Sequence, residues 1–167
     1  LSRDLAEAAH AEDGGRMWSV TLRTDARWHD GAAVTANDVL ATWKALANDG
    51  SSETRRNLTD VAGVVSVEAK GSTVRFNLSH PFPELPDILT EMAVLPAHVI
   101  ESGPGAIEEH PIGAGPFKFL GRAGNTFTMA PHAAWHGGAV RPPSLLVKII
   151  EDDRERGRAL ARGVIDA

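Results

Sequence analysis

From Met17 to Arg23 apolar and polar residues alternate, with Trp18, Val20 and Leu22 on one face and Ser19, Thr21 and Arg23 on the other. A period of two is that of a strand with one buried face. The period changes after Thr35: Ala36, Val39, Leu40, Trp43, Leu46 and Ala47 recur at helical spacing. Thr35 and Asp38 have the spacing of a capping box, and Asn48-Asp49-Gly50 supplies a stop. Alternation returns from Thr73 to Leu78, with Val74, Phe76 and Leu78 inward. Together with residues 64–69, across Lys70-Gly71-Ser72, this predicts a hairpin. Residues 4–12 are rich in helix formers with a thin apolar stripe. They read as a short helix or surface lead-in, closed by a turn at Asp13-Gly14-Gly15. Residues 25–31 form a polar bend carrying Trp28, and residues 51–57 a polar loop.

Pro81, Pro83 and Pro86 interrupt any ladder, because proline lacks a backbone donor. Short helices are expected over 86–92 and 96–101. Between Gly103 and Pro116 lie four glycines and three prolines, the clearest break in composition, which divides the chain into regions 1–110 and 111–167. Beyond it, strands are expected over 117–120 and 126–130. The nearly all-apolar run 145–150 reads as a strand covered on both faces. Asp152-Asp153 opens a helix with its arginines towards the end, which suits the helix dipole, and Val164-Ile165 reads as a next strand. Strand, crossover helix and the start of another strand make an interrupted β-α-β unit. The fold class expected is α/β with mixed α+β character, and the chain reads as part of something longer.

Composition narrows the function classes. The 167 residues hold no cysteine, which removes disulfide scaffolds, thiolate metal sites and cysteine nucleophiles. A net charge of -5 gives no reason to expect nucleic acid or an anionic membrane as partner. No apolar run reaches the ~18 residues of a membrane span, so membrane insertion of this chain is not expected. No charged-then-apolar leader opens it.

Candidate chemistry is sparse. His132 and His136 are four apart, but Pro131 and Gly137-Gly138 place them in a loop, and no metal site is expected. His29-Asp30 suits a turn better than an orienting pair, although an enzyme using both is one alternative. No nucleophile elbow is present, and Gly113-x-Gly115 lacks the third glycine of a dinucleotide loop. Trp18 and Trp43 belong to core faces, while Trp28 and Trp135 read as plugs at sheet ends. Arg55-Arg56 could grip a carboxylate.

Four segments in fixed order carry a resemblance: Trp18 to Arg23 with Trp28-His-Asp-Gly31; Val34-Thr-Ala-Asn-Asp-Val39; Pro111-Ile-Gly-Ala-Gly-Pro-Phe-Lys-Phe119; and Pro131-His-Ala-Ala-Trp-His-Gly-Gly138. Together they resemble the family 5 extracellular solute-binding proteins, the peptide, nickel and related receptors of ABC importers. Residues 154–167 and 4–7 are similar to further stretches of that family. The resemblance implies part of lobe I of a two-lobed periplasmic binding protein fold, with the second lobe absent. Residues 1–110 would then be mostly the extra subdomain of the first lobe, and 111–167 the start of its main sheet.

The resemblance further implies a receptor without catalytic residues or cofactor, periplasmic or extracellular and lipid-anchored, delivering a di- or oligopeptide to an ABC permease in the inner membrane. Arg55, Arg56 and Asn57 after the long helix, and Pro111, Gly113 and Gly115 in the turn into the main sheet, would be the first-lobe ligand contacts. A nickel-chelate, haem or opine receptor is the alternative within the family, and the sensory module of a transcriptional regulator the alternative outside it.

Overall fold

The structure, a computed structural model, describes residues 4–103, 105–109 and 111–166. Two antiparallel sheets organise it. The first has the order β1-β2-β4-β3, with β1 at Ala6–Glu12, β2 at Met17–Leu22, β3 at Val64–Lys70 and β4 at Thr73–Leu78. The second has the order β5-β6-β7, with β5 at Phe117–Ala123, β6 at Thr126–Pro131 and β7 at Leu145–Lys148.

The register puts the inward residues of the first sheet opposite one another, Trp18 against Phe76 and Val20 against Val74. The alternation of β2 and β4 is realised: Val74 and Phe76 are fully buried, and Trp18, Val20, Leu22 and Leu78 join them in the core. Full burial of a side chain such as Phe76 contributes about 1.5–3 kcal/mol. The long helix α1, Ala36–Ala47, covers this face with Ala36, Val39 and Trp43. Its capping box is formed, with Asp38 Oδ2 accepting the Thr35 N–H at 2.7 Å and the Thr35 hydroxyl at 3.0 Å.

Residues 4–12 correct the helix expectation, because Ala6–Glu12 is a strand. Its alanines offer a helix little apolar face to bury, whereas as an edge strand the segment satisfies its backbone against β2, Ala9 opposite Val20 and Ala11 opposite Trp18. The turn that follows is as expected, with Asp13, Gly14 and Gly15 all at positive φ.

The polar loop expected over 51–57 is also corrected. Ser52 caps a short helix α2, Glu53–Arg56, by accepting the Arg55 N–H at 3.2 Å, and the chain continues into a π turn over Asn57–Val61. Leu58, fully buried, anchors that turn to the core. Further short helices are α3, Leu85–Leu89, with Pro86 in its first turn; α4, Ala97–Glu101, preceded by Pro96; and α5, Ala106–Glu109.

The last third differs most from expectation. β7 pairs antiparallel with β6, and Leu146 and Val147 are 64% and 43% exposed rather than covered on both faces. The helix expected from Asp152 is α6, Asp153–Ala161, with the Asp152 carboxylate accepting the Glu155 N–H at 2.7 Å. Val164 and Ile165 form no ladder among the described residues, so no parallel β-α-β unit is present there. A two-residue segment has ladder hydrogen bonds only beside a neighbouring strand, and the described residues place none there. No helix among the described residues is long and apolar enough to cross a membrane.

Candidate functional site

The junction between the two sheets is built on Trp28. Its indole is 1% exposed and packs with Ala26 and Val34, with Ile112 and Ala114 of the following loop against the same cluster. Trp28 therefore acts as the plug expected of it. Its Nε1–H donates to Asp38 Oδ2 at 3.4 Å. The other Asp38 oxygen accepts the Ala97 N–H at 2.8 Å. One buried carboxylate thus links the bend at Trp28, the start of α1 and the start of α4. This linking role was not legible in the capping-box spacing that singled Asp38 out.

With Trp28 fixed, the next residues form a tight bend. The Gly31 N–H donates to Trp28 O at 2.9 Å with Gly31 at positive φ, and the Ala32 N–H donates to Asp30 Oδ1 at 2.9 Å. Asp30 Oδ2 lies 2.8 Å from His98 Nε2, on α4. The bend projects His29 onto the 111–116 loop. The His29 N–H donates to Gly113 O at 2.8 Å, the Gly113 N–H donates to His29 Nδ1 at 3.1 Å, and His29 Nε2 lies 3.1 Å from Gly115 O. A carbonyl only accepts and an amide N–H only donates, so the ring is the neutral tautomer protonated on Nε2.

His132, buried just after β6, grips the same loop. Its N–H donates to Pro116 O at 2.8 Å, and its Nδ1 lies 3.2 Å from Gly115 O, which requires Nδ1–H as the donor. The two imidazoles meet edge to face, 5.0 Å between centroids. Burial pushes the His29 pKa down from the ordinary histidine value. The hydrogen bond to Gly115 opposes that shift, His132 and Lys118 add to it, and Asp30 opposes it.

Beside this clamp lies an open hollow of about 460 Å³, bounded by His29, Asp30, Pro111, Ile112, Lys118 and Arg122 among others. A second hollow, about 390 Å³, lies between the first sheet and α3 and is mostly apolar, with Asp4, Glu7 and Thr90 among its lining. The first carries Lys118 and Arg122 in its lining beside the engaged His29 and Asp30.

The sequence candidates divide. Pro111 borders the hollow, and Gly113 and Gly115 lie in the clamped loop beside it. Arg55, Arg56 and Asn57 belong to a different locality. Arg55 Nη1 lies 3.4 Å from the Thr59 hydroxyl, Arg56 is exposed, and Asn57 Nδ2 donates to Glu91 Oε2 at 3.0 Å. No hydrogen bond among the described residues joins them to the 111–116 loop. His132 and His136 do not converge either, since His136 Nε2 turns to Asp4 Oδ1 at 2.9 Å. The enzyme alternative needed His29 and Asp30 free in one cleft. Instead both ring nitrogens of His29 are engaged by loop backbone, and Asp30 is shared between His98 and the Ala32 N–H.

The family described as bacterial extracellular solute-binding proteins, family 5 Middle, matches residues 1–167. The chain belongs to this family. Among family 5 relatives, the probable D,D-dipeptide-binding periplasmic protein DdpA of Escherichia coli is 29% identical over 172 residues, covering 98% of this chain and 33% of DdpA. The oligopeptide-binding protein AppA of Bacillus subtilis, solved with a nonapeptide, superimposes with a TM-score of 0.78 at 29% identity, over 97% of this chain and 34% of AppA. NikZ of Campylobacter jejuni, solved with Ni(L-His), gives a TM-score of 0.83 at 28% identity, over 97% of this chain and 33% of NikZ. The chain thus spans about a third of the length of these family 5 relatives, and its mixed helix-and-sheet fold corresponds to part of one lobe of their two-lobed architecture.

Proposed function

We propose that this chain is part of the first lobe of a solute receptor that captures a di- or oligopeptide and presents it to an ABC permease, outside the cytoplasmic membrane. The observation that carries the reading is a match to the family over the whole chain, joined to a hollow bordered by Lys118 and Arg122 that opens beside the clamped Pro111–Gly115 turn. Of the relatives compared, DdpA is described as dipeptide-binding and AppA was solved with a nonapeptide, which favours a peptide over the nickel chelate seen with NikZ.

The mechanism is capture without chemistry. Residues 1–110 serve as the extra subdomain and residues from 111 onward as the start of the main sheet. A second lobe closes on the solute about a hinge, driven by contacts made only in the shut state. Gly115 brings backbone close to the solute without a side chain intervening, while Gly113, held by His29 at both its N–H and its C=O, fixes the turn. Arg55, Arg56 and Asn57 provide a second, separate contact region, where a guanidinium can pair with a peptide carboxylate.

A thermal-shift panel on the complete polypeptide carrying this chain tests the reading, with a dipeptide, a nonapeptide, Ni(L-His) and an opine as probes. A peptide is expected to stabilise it. A shift with Ni(L-His) or the opine alone replaces the peptide assignment, and no shift with any probe counts against a solute receptor.

A further inference from the structure

The His29–His132 clamp combines features that the receptor reading does not use. Each histidine holds the 111–116 loop through both its backbone N–H and its ring. Gly115 O accepts from both rings, and Gly113 both donates to His29 and accepts from it. The packing is close, since a Cβ on Gly113 would lie 3.3 Å from His29 Cε1.

The two rings are not equivalent towards protons. His132 already carries its proton on Nδ1, the atom facing Gly115 O, so a second proton on Nε2 leaves that donor in place. His29 accepts at Nδ1, so a second proton there sets an N–H against the Gly113 N–H and removes that bond. The charged groups around His29 offer no replacement acceptor. Asp30 is engaged by His98 and the Ala32 N–H, Lys118 on β5 is cationic, and His132 faces the ring edge to face.

We infer that His29 and His132 are positioning residues for the Pro111–Pro116 loop, and that the loop is fully held only while the His29 ring is neutral and is loosened at Gly113 when that ring takes up a proton. The lowered affinity of His29 for its proton keeps the clamp closed at neutral pH. The consequence for solute capture rests on the reading of this loop as part of the receptor cleft: acidification would loosen one wall of the site.

The test needs no solute, so its outcome is independent of whether the protein binds peptide. In the full chain labelled with ¹⁵N-glycine and ¹³C,¹⁵N-histidine, His29 is expected as the Nε2–H tautomer at pH 7.5, titrating below the ordinary histidine range. The hydrogen-exchange protection factor of the Gly113 amide, which removes the intrinsic pH dependence of exchange, is expected to fall about tenfold or more as His29 protonates. His29→Asn keeps an acceptor for the Gly113 N–H but cannot titrate, and its Gly113 protection is expected to be flat across the same range.

Three results would overturn the inference: the Nδ1–H tautomer at His29, Gly113 protection that does not follow the His29 titration, or the same acid loss in His29→Asn. The first two are read on the unmodified chain, so a variant that fails to fold leaves the test intact.

Discussion

Gly113 and His29 hold each other twice: the Gly113 N–H donates to His29 Nδ1 at 3.1 Å, and the His29 N–H donates to Gly113 O at 2.8 Å. A methyl group at Gly113 would press on His29 Cε1 at 3.3 Å, whereas one at Gly115 would meet open space. Gly113→Ala is therefore expected to lower stability by about 1 kcal/mol or more. Gly115→Ala is expected to stay within about 0.5 kcal/mol. Chemical denaturation of both variants decides the point, and equal losses would mean that the close approach is irrelevant.

Asp38 is buried and accepts from the Thr35 N–H, the Thr35 hydroxyl, the Ala97 N–H and the Trp28 indole. Asp38→Ala strands several of those donors and is expected to cost about 2–4 kcal/mol, at the upper end of what loss of a hydrogen-bonded charged group produces. Asp38→Asn should cost less, because one carbonyl oxygen remains. Unfolding in denaturant measures both.

The pH dependence has a definite sign. The folded-state pKa of His29 lies below its ordinary value of 6.5. On acidification the unfolded chain binds the proton first, so stability falls once the pH drops through 6.5 and stops falling below the folded-state pKa. His29→Asn is expected to remove this contribution. Melting temperatures of the two proteins from pH 7.5 down to pH 4.5 should converge in slope above 6.5 and diverge below it.

Arg56 is exposed, while Arg55 is half-buried with its Nε lacking a hydrogen-bond partner among the described residues. Arg56→Ala is expected to leave stability within about 0.5 kcal/mol, as surface substitutions do. If this region contacts solute, the same variant weakens peptide affinity in calorimetric titration. A large stability loss would instead assign Arg56 to packing.

The first sheet was legible because its patterns are local. The alternation of β2 and β4 and the 3.6-residue stripe of α1 each name their own buried face. β1 was not, because an alanine-rich segment has little face of its own and is decided by the edge of β2 that it meets. The run 145–150 was legible as a strand, β7, but what covers it is not fixed by its own residues, and Leu146 is exposed among the described residues of a chain spanning about a third of its relatives' length. The glycines and prolines of the 111–116 loop marked a boundary in sequence, and only the family resemblance made that loop a candidate contact. Their partners His29 and His132 did not, because their sequence neighbours say nothing of a carbonyl that, for His29, lies 86 residues away.

The most direct measurement of the receptor reading is calorimetric titration of the complete polypeptide carrying this chain with a nonapeptide, repeated with the 167-residue chain alone. Saturable, stoichiometric binding by the complete polypeptide is expected, with a stabilisation of about 2.7 kcal/mol at a peptide concentration about 100-fold above Kd. The isolated chain, offering one wall of the cleft, is expected to show little or no heat. Tight, peptide-specific binding by the isolated chain, or peptide cleavage by either protein, would contradict capture between two lobes.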